Sequence, residues 1–136
     1  MQKALQHTNP DLFTVLLAHE PDFANIAKNY PIDVQLSGHS HGGQVRFPIV
    51  GHLYTPAYAQ QYIQGKYELN KENFILYVNK GIGTTRLPYR FLCKTRNSCL
   101  YISIRFLNSF PLLSLKRSKP IRCVTCACTG FDIRLE

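Results

Sequence analysis

Short apolar runs separated by polar clusters organise the first two thirds of the chain. Thr14-Val-Leu-Leu-Ala18 is a branched, uncharged run of the length of a buried strand, and it ends at His19. Pro21-Asp22 then opens a helical pattern with Phe23, Ile26 and Ala27 at i, i+3 and i+4, closed by Asn29-Tyr30-Pro31. Ile32-Asp-Val-Gln-Leu36 alternates like a second strand and runs into Ser37-Gly-His-Ser-His-Gly-Gly43. After a polar stretch punctuated by Gly and Pro, Phe74-Ile-Leu-Tyr-Val78 predicts a third strand, followed by Gly81-Ile-Gly83-Thr-Thr85. Arg90-Phe-Leu-Cys93 predicts the start of a fourth. Strands that end in polar clusters predict an α/β (α+β) layer with its site at the strand ends.

Composition narrows the class. A length of 136 residues suits one domain, and 45% hydrophobic with 18% charged residues is a globular mixture. The longest uncharged apolar stretch, Leu12 to Ala18, is far short of the roughly 20 residues that span a bilayer. Met1 to His7 has no apolar core and no cleavage site, so no signal peptide is read there. Five cysteines without a regular framework argue against a secreted disulfide scaffold.

Charge divides the chain. The net charge of +8 would suggest a nucleic acid or an anionic membrane as partner. Residues 1–92, however, hold eight Lys/Arg against six Asp/Glu, while residues 93–136 hold eight against two. Cys99, Cys123, Cys126 and Cys128 also lie in that last part. The sequence therefore reads as a domain over 1–93 and an atypical basic, Cys-containing tail over 94–136.

The candidate chemistry rests on three histidines. His39 and His41 flank one serine between Gly38 and Gly42-Gly43, and imidazoles at i and i+2 of an extended segment project to one side. His19 also ends a strand, so all three can meet along one sheet edge. Neutral imidazole is a borderline ligand suited to Zn, Mn or Fe. Arg46 and Arg86 can pair with phosphate in a bidentate manner, and Thr84 and Thr85 sit on a turn nearby. His7 and His52 lack convergent partners and read as surface or packing residues. Cys123-Val-Thr-Cys126-Ala-Cys128 has knuckle-like spacing but no second pair to complete a zinc site.

Leu17-Ala-His19-Glu-Pro-Asp22 followed by Leu36-Ser-Gly-His39-Ser-His41-Gly-Gly-Gln44 resembles the last two motifs of the calcineurin-like metallophosphoesterases. Gln44-Val-Arg46, Leu53-Tyr-Thr-Pro56 and Tyr77-Val-Asn-Lys-Gly-Ile-Gly-Thr-Thr-Arg-Leu-Pro88 are similar to a bacterial branch whose members often carry an export or membrane segment. The resemblance covers about Leu12 to Cys93. It implies the C-terminal half of a four-layer αββα sandwich and a phosphoesterase that works with two divalent ions of Mn, Zn or Fe. It implies that His19 and His39 bind one ion and His41 the other. Arg46, Thr84 and Arg86 are the substrate-binding candidates. The implied substrate is a phosphate-ester small molecule or a lipid-linked phosphate, with no nucleic-acid partner and membrane association of the intact protein.

The family's upstream Asp-x-His, Gly-Asp and Gly-Asn-His motifs do not occur before His19, which predicts a fragment that is inactive by itself. Past Cys93 the family continues with Pro-Glu and an alternating strand. Codons for Thr95 to Tyr101 permit that continuation after a one-base slip, so the tail reads as out of frame or disordered. Two readings from other classes stand beside this one. The three histidines can serve a metal-binding fragment without catalysis, or the basic tail can bind nucleic acid or anionic lipid.

Overall fold

The computed structural model describes residues 1–6, 9, 12–69, 74–85, 88–96, 98–102, 121–125 and 131–135. The chain order is α1 (Gln2–Leu5), β1 (Phe13–Leu17), a 3₁₀ turn at Pro21–Phe23, α2 (Ala24–Ala27), β2 (Val34–Ser37) and a 3₁₀ turn at His41–Gly43. Then follow β3 (Arg46–Phe47), β4 (Gly51–His52), β5 (Gly65–Glu68), β6 (Ile75–Val78), β7 (Ser98–Ile102), β8 (Ile121–Thr125) and β9 (Phe131–Leu135). His7, Arg86, Cys126 and Cys128 lie outside the described residues.

The apolar runs around 14–18, 32–36 and 74–78 become the centre of a five-stranded mixed sheet in the order β5-β6-β2-β1-β8. β1, β2 and β6 are mutually parallel, with Val15 opposite Val34 and Leu36 opposite Tyr77. Their carboxyl ends therefore meet at one edge, where α/β sheets bind ligands. The tail contributes β8, which runs parallel to β1 in a five-residue register, and β7 and β9, which pair with each other.

The two faces of this sheet are covered unequally. Leu16, Leu76 and Val78 pack with Ala18, Ala24, Ala27, Ile32, Tyr62 and Phe74 into the core. On the opposite face Val15 and Leu36 are buried, but Leu17, Val34, Ile75 and Tyr77 are only half-buried. Gln35 is fully enclosed, and its amide donates to Ser37 Oγ at 2.9 Å and to the carbonyls of Glu20 and Pro21 at 3.4 Å. That bond set ties the chain just after His19 to the second strand.

Two local expectations are corrected, and one stretch with no predicted element gains strands. Ile26 is 51% exposed, and Ala24 and Ala27 fill the inward face of α2. The 3₁₀ turn before it has three residues per turn, so it rotates the apolar face that a uniform 3.6-residue period would place. Arg90-Phe-Leu-Cys93 makes one bridge, Val45 to Phe91, and not a strand. The Gly/Pro-punctuated stretch contains the β3–β4 hairpin and the antiparallel edge strand β5.

Among the described residues, no helix is long and apolar enough to cross a membrane.

Candidate metal centre

The site begins where β1 and β2 end. Ala18 N–H donates to Leu36 O, and Gly38 N–H donates to His19 O, so the two strand ends stay paired as they leave the sheet. This brings His19 and His39 together, with ring centroids 4.6 Å apart and planes tilted by 56°.

The turn that follows is held in an uncommon backbone region. His39, His41, Gly42, Gly43 and Gln44 have φ of 64°, 49°, 65°, 79° and 44°. Left-handed φ is uncommon for residues with a Cβ, and where it persists the surroundings must enforce it. Several bonds do so. Ser40 Oγ accepts from Gly42 N–H at 3.1 Å and donates to Ile63 O. Gln44 Oε1 accepts from the backbone and hydroxyl of Thr85 at 2.8 and 2.9 Å, while its amide donates to Tyr89 O at 3.0 Å. A Cβ on Gly42 would lie 2.8 Å from Cys93 Sγ, so the absent side chain makes room for close packing.

Each histidine of the His-x-His pair is oriented by one backbone carbonyl. His39 Nε2 lies 3.0 Å from Ala57 O, and His41 Nδ1 lies 3.1 Å from Gly83 O. A carbonyl only accepts, so the bonded nitrogen is assigned the proton in each neutral ring; at His41 this rests on the carbonyl at 3.1 Å being nearer to Nδ1 than the Arg90 Nη2 donor, which lies 3.4 Å from the same atom. His39 is thereby left with a free lone pair on Nδ1, and His41 with one on Nε2. Such a bond to the second nitrogen is how proteins fix the tautomer of a metal-binding imidazole. Burial pushes the His41 pKa below its ordinary value; the bond to Gly83 opposes this, and Arg90, His39 and His19 add to the lowering. The neutral, ligating form is the favoured one.

The remaining sequence candidates are dispersed. Arg46 is half-buried and donates to Gly42 O at 3.1 Å, inside the turn. Thr84 is exposed on the loop beside Gly83, and Arg86 lies outside the described residues. His52 is half-buried in the hairpin and packs against Gly43. Among the described residues, no group of three or more His, Cys, Asp or Glu side chains forms a single cluster able to hold a metal. His19 and His39 make the ring contact, and His41 does not complete a group of three with them.

Sequence reasoning missed Arg90, whose guanidinium reaches His41 O at 3.1 Å and Lys80 O at 2.9 Å and also donates to Gly83 O. It also missed the carbonyls of Ala57 and Gly83. An arginine in a predicted strand gave no sign of its partners, and backbone acceptors leave no sequence mark.

The chain is similar to the uncharacterized metallophosphoesterase YkuE of Bacillus subtilis, with 47% identity over 90 residues, 66% of this chain and 31% of that protein. It is 34% identical to the phosphodiesterase YaeI of Escherichia coli over 70 residues, 52% of this chain and 25% of that protein. It is also 34% identical to the UDP-2,3-diacylglucosamine pyrophosphatase LpxG of Chlamydia muridarum over 88 residues, 60% of this chain and 27% of that protein. The chain spans less than a third of the length of these curated relatives. No family model matches it, and no solved structure does. The metallophosphoesterase and phosphodiesterase names of these relatives and the strand-end histidines together support the calcineurin-like metallophosphoesterase superfamily for this chain.

Proposed function

We propose that residues 1–93 carry the C-terminal share of the metal site of a dinuclear phosphoesterase. The convergence of His19 and His39 at the carboxyl edge of the sheet carries this reading. The donor set fits divalent ions of the Mn, Fe and Zn type, because in each imidazole of the His-x-His pair the nitrogen away from the carbonyl has no hydrogen bond among the described residues and is open to a ligand. His19 and His39 would hold one ion and His41 the other. When bound, such a pair of ions activates a water and stabilises the attacking and leaving oxygens of an in-line displacement at phosphorus. Arg46, Thr84 and Arg86 are proposed as weaker contributors to substrate binding.

The remaining ligands, a bridging carboxylate among them, would come from sequence outside this chain. The sheet is proposed as one of the two sheets of a four-layer sandwich. The half-buried face of Leu17, Val34, Ile75 and Tyr77 supports this, because it is the face a second sheet would cover. The substrate class is a phosphomono- or phosphodiester, and a lipid-linked phosphate is one member of it, since LpxG is by name a pyrophosphatase of a diacylated sugar nucleotide.

The test uses a full-length relative carrying alanine at the histidines aligned with His39 and His41. Bound metal and hydrolysis of bis(p-nitrophenyl) phosphate should both fall steeply. Unchanged metal content in either variant overturns the ligand assignment.

A further inference from the structure

The two oriented histidines depend on two loops, and each loop is pinned by one charged side chain outside the His-x-His motif. The Ala57 carbonyl belongs to the segment between β4 and β5. The Asp22 carboxylate accepts there from three successive backbone groups, Gln60 N–H at 2.8 Å and Gln61 and Tyr62 N–H at 3.1 Å. Asp22 N–H also donates to Tyr58 O at 3.0 Å, so the turn next to Ala57 is gripped from both ends of one residue. The Gly83 carbonyl belongs to the loop after β6. Arg90 donates there to Lys80 O at 2.9 Å, Gly81 O at 3.3 Å and Gly83 O through Nε at 3.1 Å, reaches His41 O at 3.1 Å, and brings Nη2 to 3.4 Å from His41 Nδ1, farther than the Gly83 carbonyl that Nδ1 faces at 3.1 Å.

From this geometry we infer that Asp22 and Arg90 are positioning residues, Asp22 for His39 and Arg90 for His41, and that together they hold the two imidazoles in opposite tautomers. The carboxylate fits its role because three converging N–H groups need a multi-acceptor anion. The guanidinium fits its role because its fixed fork of donors can bridge several carbonyls at once, which an ammonium cannot do in one geometry. Opposite tautomers present Nδ1 of His39 and Nε2 of His41, so rings only two residues apart in sequence offer different atoms. The purpose of this arrangement rests on the proposed ligand role; its test does not, because tautomers are read on the metal-free chain.

The experiment is two-bond ¹H–¹⁵N correlation of the histidine rings in the 136-residue chain, in the wild type and in Asp22→Ala and Arg90→Gln. The wild type should show His39 protonated at Nε2 and His41 at Nδ1. Arg90→Gln should shift His41 toward the mixed tautomers of a free imidazole and leave His39 in place, and Asp22→Ala should do the reverse. A merely structural role would disturb both rings together. Asp22→Asn, which keeps an acceptor oxygen, should restore part of the His39 signal, whereas Arg90→Lys should not restore that of His41. These two milder variants carry the test if the first pair do not fold. Unmoved tautomers, or equal displacement of both histidines by either variant, overturn the inference.

Discussion

His19 and His39 stand with ring centroids 4.6 Å apart, one at the end of each of two adjacent parallel strands. The contact follows from the sheet: parallel neighbours leave at the same edge, so the first ring-bearing residue after each strand has the other as its neighbour. Two imidazole rings gain little from each other. They gain much from a shared cation, so this pair should be the first metal locus of the chain. Titration of the 136-residue chain with Zn²⁺ should show His39→Ala losing more affinity than the roughly 10–100-fold typical of removing an outer partner. His52→Ala should stay near wild type. Equal losses at His39 and His52 would count against the assignment.

Two glycines with similar backbones separate strain from packing. Gly43 and Gly51 have φ of 79° and 83°. A Cβ on Gly51 meets nothing within 4 Å, whereas one on Gly43 collides with the Cβ of His52. Gly51→Ala should cost only the left-handed backbone penalty, about 1–2 kcal/mol. Gly43→Ala should add overpacking of about 1–3 kcal/mol. Urea denaturation of both variants checks the difference, and equal midpoints would show that the His52 contact is easily relieved.

How much of this was legible in the sequence depended on periodicity. The strands around Val15, Leu36 and Leu76 were readable because buried parallel strands are continuous apolar runs. Their endings at His19 and His39 were readable for the same reason. Arg46–Phe47 and Gly51–His52 are too short to show any period, and Gly65–Glu68 is a half-exposed edge strand with two charges. The exposed side of Ile26 was misread because a 3₁₀ turn changed the phase just before α2. The orienting partners of the histidines were not legible at all. Every residue carries a carbonyl, and only the fold selects those of Ala57 and Gly83.

Tyr62 links Asp22 to the alkaline stability of the chain. Tyr62 is a buried residue whose hydroxyl donates to Asn25 Oδ1 at 3.0 Å and whose pKa is raised by burial first, then by the charge of Asp22 and by Tyr67. A folded-state pKa above the unfolded one means the folded chain keeps this proton longer. The corresponding stability is fully present below the ordinary tyrosine value of about 10 and is lost as pH rises through the raised value. Denaturation midpoints followed from about pH 9 to 11 should therefore fall less steeply in Tyr62→Phe than in the wild type. Asp22→Asn, which removes the second cause, should flatten the curve by a smaller amount. Identical slopes in all three proteins would refute the link.

The last prediction concerns turnover by the chain itself. Two divalent cations held roughly 4 Å apart repel by about 17 kcal/mol at an effective dielectric of about 20. A dinuclear site offsets this with anionic ligands, above all a carboxylate shared between the ions. His19, His39 and His41 bring no negative charge, and burial keeps His41 neutral by lowering its pKa. Among the described residues these three do not form, alone or with any other His, Cys, Asp or Glu, a group of three or more that could hold a metal ion. The 136-residue chain should therefore take up at most one ion at His19 and His39, and not the pair that in-line displacement requires. Incubated with Mn²⁺ and bis(p-nitrophenyl) phosphate, it should release no more p-nitrophenol than the metal alone. A full-length relative assayed alongside provides the scale. Turnover within about tenfold of that relative, a barrier difference of only about 1.4 kcal/mol, would mean that the three imidazoles suffice and that the proposed division of ligands is wrong.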